Sequence, residues 1–514
     1  MCSDNLRLTP AAPDGSPPVA PPVAHTSPLV NTNRDLELTG PTYRRFVENV
    51  VNRLETHLSS LGSQPASHED AQLPRPDGRL PREPAGLDDV LDHLFSQVVP
   101  SGYNTTSPGF LGYFGGGGLP HAAVADLISG TVNRFVGRWA AAPAAVQLEA
   151  DVIRWLVEIV GYPDAAGGVL TSGGSMSNLT ALFTARRHQL PAMDLRKVRF
   201  YASEQSHFSL QKAAMVCGLP PESLRAVPCD AQGCMDTAAL DRLIREDRES
   251  GHEPFLVVAT GGTFGAGAVD DIEAIADITQ RENLWLHLDA AYGGFFVLTA
   301  EGRRLLAGMA RCHSITLDPH KSLFLPYGTG ALLVRDGRQL GQAHAIDADF
   351  YGPMQDDQSR IDFCSLAMEQ TRPWRGLRLW LPLKMHGIEP FTRNLEEKLA
   401  LSRHAAEALR GMPGIELVVE PILSVLAFRL VRPGLGAEAL KQLNQKLLDR
   451  INRQKNIFLM GTMVKGVYAL RMCTLSFRTH LDHIEGGLAA IRQAVLDTQR
   501  EEPTTASVHP TQGR

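Results

Sequence analysis

From about Gly109 to Phe391, short apolar, β-branched runs alternate with longer amphipathic stretches. Gly168–Ser172, Phe200–Ser203, Phe255–Thr260, Trp285–Ala291, Ser314–Leu317 and Gly330–Arg335 have the length and composition of buried strands. Leu179–Arg187, Ile272–Glu282 and Leu395–Leu409 place their apolar residues at helical spacing. Strand–helix alternation predicts an α/β domain with a mixed, mostly parallel sheet. After Phe391 the pattern changes to a long helix, runs at Ile415–Val419 and Ser424–Leu430, a helix near Ala437–Arg453 and a strand at Tyr468–Leu475. That order predicts a smaller α+β domain. Upstream, Tyr43–Leu61 reads as an amphipathic helix that packs on something outside its own sheet, such as a second subunit.

Composition narrows the class. A chain of 514 residues with 43% hydrophobic and 21% charged residues is an ordinary globular protein of two or three domains. Its net charge of −6 gives no basic face for nucleic acid or an anionic membrane. No apolar run of spanning length occurs, and no basic segment followed by an apolar one opens the chain. The seven cysteines are scattered without CxxC pairs, so neither a disulfide framework nor a metal site is expected, and reduced thiols in the cytoplasm are. The Pro, Ala, Ser and Thr bias of residues 1–35 and the composition of 501–514 predict disordered tails.

Three stretches carry chemistry. In Thr171-Ser172-Gly173-Gly174-Ser175-Met176-Ser177-Asn178 a strand ends in a double glycine and a helix begins. Free N–H groups and the dipole at a helix start attract an anion, and the small residues let a phosphate approach. The stretch matches neither GxGxxG nor GxxxxGK[ST], and by itself also reads as a capped turn. In His287-Leu288-Asp289-Ala290-Ala291 an aspartate ends an apolar strand. A buried acid needs a partner, and a protonated pyridinium nitrogen is one; a helix cap is the plainer alternative. In Leu317-Asp318-Pro319-His320-Lys321-Ser322 a lysine stands at a strand end beside His and Asp, where its amine can form a Schiff base. Asp289 and Lys321 are separated by room for one helix and one strand, so both reach the carboxyl edge of the sheet, where α/β ligands bind. Phosphate, ring nitrogen and aldehyde carbon of one cofactor, pyridoxal 5'-phosphate, would then each have a partner.

These stretches resemble the group II pyridoxal-phosphate-dependent amino-acid decarboxylases, the family of aromatic-L-amino-acid, glutamate and cysteine-sulfinate decarboxylases. The resemblance runs from about Tyr43 to Arg492 and includes Trp139-Ala140 to Leu148-Glu149 and Gly109-Phe110-Leu111-Gly112-Tyr113-Phe114. It implies the type I pyridoxal-phosphate fold of the aspartate aminotransferases, a homodimer, and α-decarboxylation of an L-amino acid to an amine. By the same resemblance Lys321 bonds the cofactor, Asp289 keeps its ring nitrogen protonated, Ala291 packs beneath the ring and His207 stacks on it. Thr263 stands near Asp289 and the cofactor hydroxyl. Gly174, Ser175 and His320 hold the phosphate. Tyr113 and Phe114 line the substrate pocket, and Arg471 binds the substrate carboxylate. The implied division is a helical N-terminal clasp over 36–108, a cofactor domain over 109–392 and a small domain over 393–500.

The sequence departs from the family at two places. Ser322 follows the lysine where many members have Trp, and Gly115–Gly118 is a run of four glycines expected to widen the pocket wall. Residues 344–372 read as a lid. Counting back from Trp374 puts Phe363 where many members carry a proton-donating tyrosine, with Tyr351 the substitute donor. A phenyl ring there leaves an aldehyde-forming oxidative outcome open beside simple decarboxylation. Another lyase or an aminotransferase of the same fold also stays open, whereas a non-catalytic scaffold would be expected to lack Lys321 or Asp289.

Overall fold

The computed structural model describes residues 34, 36–68, 78–190, 194–346 and 360–500. The expected tails, Arg34 aside, and Tyr351 lie outside them. The chain divides into two units after Ser59. The helix Gly40–Ser60 makes up most of what is described of the first, over the stretch where the sequence places an amphipathic helix.

The second unit holds two large sheets. Seven strands form the first: β1 (Gly167–Thr171), β2 (Val198–Ser203), β3 (Leu224–Val227), β4 (Glu253–Thr260), β5 (Trp285–Ala290), β6 (Ser314–Leu317) and β7 (Gly330–Val334), in the order β1-β7-β6-β5-β4-β2-β3. β7 runs antiparallel to both neighbours and the other pairs are parallel. The central strands are buried on both faces, which explains their near-continuous apolar sequences. Register aligns Thr260 with Asp289 and Asp289 with Thr316, so three polar residues form one row across the sheet. The second sheet is antiparallel, with β8 (Ile415–Ile422), β9 (Val425–Leu430), β10 (Met460–Val464) and β11 (Val467–Cys473) in the order β8-β9-β11-β10. This is the mixed, mostly parallel sheet plus small α+β layer that the sequence predicts.

The helix Glu389–Arg410 ties the two together across position 392. Its Phe391, Leu395 and Leu399 pack in the core of the large sheet, and Leu401, Ala405 and Leu409 in that of the small one. A second tie is the segment Gly109–Phe114. Phe458 N donates to Gly109 O at 2.9 Å, Leu111 N to Phe458 O at 3.0 Å and Cys473 N to Leu111 O at 2.9 Å.

The Trp139–Glu149 stretch gains a structural reason. Glu149, fully buried on the helix Pro143–Ile159, pairs with Arg372 and accepts from Gly376 N at 2.9 Å. Arg372 Nη2 in turn donates to Leu170 O at 2.7 Å, one residue before β1 ends and the glycine loop begins. Phe363 is buried beneath this guanidinium, 5.1 Å from it, and lines no part of the cavity described next. The residue reached by counting back from Trp374 thus stands in a turn, Phe363–Ser365, with its ring in the core.

Candidate active site

A cavity of about 460 Å³ opens at the carboxyl edge of the parallel strands. Ser172–Met176 enter it after β1, Gln205 and His207 after β2, Thr260–Phe264 at the end of β4, Asp289–Tyr292 at the end of β5, and Asp318–Lys321 after β6. Tyr113 and Phe114 close one side. Ten of the sequence-derived site residues thus meet here: Tyr113, Phe114, Gly174, Ser175, His207, Thr263, Asp289, Ala291, His320 and Lys321.

The glycine loop is shaped by close approach. Gly173 has φ +148°, and a Cβ on Gly174 would stand 3.0 Å from Asp318 Oδ2 and 3.1 Å from the Ala291 methyl. The helix Gly174–Gln189 starts there, and its first N–H groups have no acceptor within the helix. His320 closes the cradle. Its Nδ1 donates to Thr329 O at 2.7 Å, its Nε2 stands 3.7 Å from Asp318 Oδ2, and burial lowers its pKa against the opposing charge of Asp318.

Lys321 Nζ lies 2.9 Å from Asp318 Oδ2, while the buried Asp318 Oδ1 has no hydrogen-bond partner. The four-glycine run does not widen the wall, contrary to the expectation. A Cβ on Gly116 would stand 2.5 Å from the Lys321 carbonyl oxygen and 2.9 Å from that of His320. Only glycine lets this strip lie against the backbone of the lysine turn. Ser322, in place of the family's Trp, is buried and donates to Tyr292 O at 2.6 Å.

Asp289 is buried at the end of β5 and accepts from Asn178 Nδ2 at 2.7 Å and from Ala291 N at 3.2 Å. His207 Nδ1 accepts from Ser209 N at 3.2 Å, so a neutral ring carries its proton on Nε2. Burial lowers the pKa of His207, with Asp289 opposing. Thr263, also buried, accepts from Ala268 N at 3.0 Å.

Arg471 is placed differently from the other ten. It is fully buried and does not line the cavity. Nε donates to Phe264 O at 2.8 Å and Nη1 to Tyr113 O at 3.0 Å, while the rings of Phe114 and Phe264 lie 4.6 and 4.9 Å from its carbon. Nη2 has no partner. The guanidinium thus clamps both aromatic walls and holds Tyr113 at φ +33°, a region a tyrosine seldom adopts. Sequence reasoning gave no role to Asn178, Ser209, Gln205 or Thr260, which also line the cavity. Asn178 stood at the end of the glycine stretch, but its significance depends on the strand beneath it.

The residues present fit pyridoxal phosphate. An anion cradle, a buried carboxylate, an amine and an imidazole surround one space, and the buried oxygens Asp318 Oδ1 and Thr260 Oγ1 lack partners within the protein. The family model described as the pyridoxal-dependent decarboxylase conserved domain matches residues 71–431. Aromatic-L-amino-acid decarboxylase of Bacillus atrophaeus is 30% identical over 452 residues, covering 87% of this chain and 94% of that protein. L-2,4-diaminobutyrate decarboxylase of Acinetobacter baumannii is 28% identical over 446 residues, covering 83% and 87% respectively. The crystal structure of Oryza sativa TDC with PLP and tryptamine superposes with a TM-score of 0.84 at 26% identity, covering 90% of this chain and 99% of that one. With cavity, cradle and kinship in agreement, the chain belongs to the pyridoxal-dependent decarboxylase family.

Proposed function

We propose that this enzyme, a pyridoxal-phosphate-dependent carboxy-lyase of L-amino acids, acts through Lys321, Asp289 and His207 on a substrate with an uncharged, flat or apolar side chain. The observation that carries the substrate class is the cavity lining. Phe114, Tyr113, Phe264, Tyr327 and Met176 contribute to it, and Lys321 is the one Lys or Arg among the described lining residues. An acidic side chain finds no cation there once Lys321 is engaged.

When bound, pyridoxal phosphate supplies a conjugated ring that accepts the electron pair left as CO2 departs. The chain's own groups do the rest. Lys321 would hold the aldehyde end of the group, and Asp318, 2.9 Å from its Nζ, would orient that amine. Asp289 would face the ring nitrogen and favour its protonated form, and His207, its proton on Nε2, would lie over the ring. Ala291 would support the ring, Thr263 would stand near the cofactor hydroxyl, and Gly174, Ser175 and His320 would hold the phosphate. Arg471 fixes the walls through Tyr113 and Phe264, and we assign the substrate carboxylate to it on condition that the Tyr113–Phe114 wall moves aside to bring its unpartnered Nη2 to the cavity. Orientation of that carboxylate selects the bond that breaks. Tyr351, outside the described residues, is the proposed donor of the proton to the substrate Cα. Phe363, the ground for an aldehyde-forming outcome, is buried away from the cavity, which supports simple decarboxylation as the leading reading.

We further infer a cytoplasmic homodimer, with the cofactor domain at 109–392 and the small domain at 393–500. The helix Pro120–Val132 leaves Val124, Leu127, Ile128 and Val132 exposed along one face, the pattern of a helix that a partner covers. The cysteines described are free, and no helix among the described residues is long and apolar enough to cross a membrane. The test is a panel of amino acids that includes aromatic, aliphatic, diamino, acidic and sulfinate substrates, with CO2, amine and peroxide measured together. Equal CO2 and amine from an uncharged substrate is the expected result. Keto-acid formation, stoichiometric peroxide, or preference for an acidic substrate contradicts the reading.

A further inference from the structure

The face of the large sheet beneath the helix Gly174–Gln189 carries an unusual polar stripe. On β5 the alternate residues Trp285, His287 and Asp289 share one face, and on β6 Ser314 and Thr316 lie beside His287 and Asp289 in register. All are buried. Strands covered on both faces are ordinarily apolar, so five polar or hydrogen-bonding side chains here call for an account.

Their hydrogen bonds supply it, and one set of directions, with Thr316 Oγ1 also 3.2 Å from His287 Nε2, gives every donor an acceptor. The Trp285 indole can only donate, and it donates to Ser314 Oγ at 2.9 Å. Asn178 must turn its NH2 toward the Asp289 carboxylate, 2.7 Å away, since a carbonyl there would face an anion. The Asn178 carbonyl then accepts, from Thr316 Oγ1 at 2.8 Å and from His287 Nε2 at 3.1 Å. With its proton on Nε2, His287 accepts at Nδ1 from Ser314 Oγ, 2.8 Å away. Burial pushes the His287 pKa down to about 4, with Asp289 opposing, so the ring carries the single proton this pattern needs. The second Asn178 N–H donates to Ser209 Oγ at 3.1 Å.

We propose that this chain, from Trp285 through Ser314, His287 and Asn178 to Asp289, is a directed relay that fixes the Asp289 carboxylate as an ionised acceptor, making Asn178, His287, Ser314 and Thr316 positioning residues for the cofactor ring. The proposal rests on the reading that Asp289 faces the ring nitrogen. Each member removes a freedom of the next. Ser314 and Trp285 set the His287 tautomer, His287 and Thr316 set the Asn178 amide, and the amide holds Asp289 Oδ2. Without the Ser314 or Thr316 hydroxyl the Asn178 carbonyl is less well fixed, directly or through His287, and its N–H is held less firmly against Asp289. Ser314, Thr316, His287 and Trp285 line no part of the cavity, so their influence on a ligand travels through Asn178 and Asp289.

The experiment measures pyridoxal phosphate affinity of the apoprotein by absorption titration, together with the pH midpoint of the bound cofactor's visible band. Thr316→Val keeps the shape and removes the hydroxyl, Thr316→Ser keeps the hydroxyl and removes a methyl, and Ser314→Ala tests the far end. Removing one donor from a buried polar group is expected to weaken cofactor binding roughly tenfold and to move the band's midpoint. Thr316→Val and Ser314→Ala should both do so, while Thr316→Ser binds as wild type even if its melting temperature falls more. A purely structural role predicts the reverse, with melting temperatures shifted and affinity and midpoint unchanged in all three, and that result overturns the relay. Asp289→Asn serves as the control. If it too leaves affinity and midpoint unchanged, the reading of Asp289 fails; if it alone changes them, the relay fails and that reading stands.

Discussion

Glu149 and Asp318 are both buried carboxylates paired with a cation, and they are arranged to different ends. Both Glu149 oxygens are taken, one by Arg372 and the other by Gly376 N, and neither side chain of the pair reaches solvent. Asp318 uses one oxygen on Lys321 and leaves the other without a partner, and the Lys321 side chain is 23% exposed to the cavity. The closed pair fastens the segment Arg372–Gly376 to the strand that leads into the glycine loop. The open pair leaves an amine reachable from the cavity, as the proposed role of Lys321 requires. Burial of an ion pair thus says little about its purpose; what separates the two is whether every acceptor is already occupied.

The comparison can be broken most sharply at the open pair. Lys321→Ala should reduce turnover by at least about 1000-fold, because the nucleophilic amine is lost. Steady-state CO2 release measures it, and a loss under tenfold would place the amine elsewhere. At the closed pair the effect should fall on folding. Glu149→Ala leaves the Arg372 guanidinium buried and uncompensated, at a cost of about 3–5 kcal/mol in denaturant unfolding. Turnover per folded molecule should stay within about tenfold, judged by saturating kinetics on the soluble fraction. A stable variant without activity would give Glu149 a role in the chemistry. Between the two lies Gly116→Ala, which forces the lysine turn to move and should cost roughly 1–3 kcal/mol while weakening cofactor binding. Wild-type stability and affinity would show that the strip can shift freely.

The smallest effect concerns pH. His313 accepts from Leu286 N at 2.9 Å and packs on Trp285, and burial lowers its pKa to about 4. Its proton is held less tightly in the folded chain than in the unfolded one. The stability it contributes is therefore complete above the unfolded value and is lost as pH falls from about 6.5 toward 4, at roughly 1 kcal/mol per pH unit. Unfolding free energies across that window should fall less steeply in His313→Asn, and an unchanged slope would remove His313 from the account.

Much of this was legible in the sequence, for reasons that differ by residue. The central strands announced themselves because burial on both faces demands apolar runs. Asp289 and Lys321 stood out because charged groups at the ends of such runs need partners. β3 and β10 were missed because they are edge strands, mostly half-exposed, without an apolar run to mark them. The glycine run was visible but its purpose was not, since sequence shows the freedom of glycine and not what approaches it. Arg471 was named through the family resemblance alone, whereas its clamp on two carbonyls belongs to tertiary structure. Asn178 is the clearest case, an ordinary helical polar residue until the helix is laid on the stripe of β5 and β6.

The most direct test of the central claim is chemical. The protein loaded with pyridoxal phosphate is reduced with borohydride, digested and mapped. The account predicts a single modified peptide, with the cofactor fixed on Lys321. Label on another lysine, or no label on a protein that nonetheless releases CO2 from an amino acid, would contradict it.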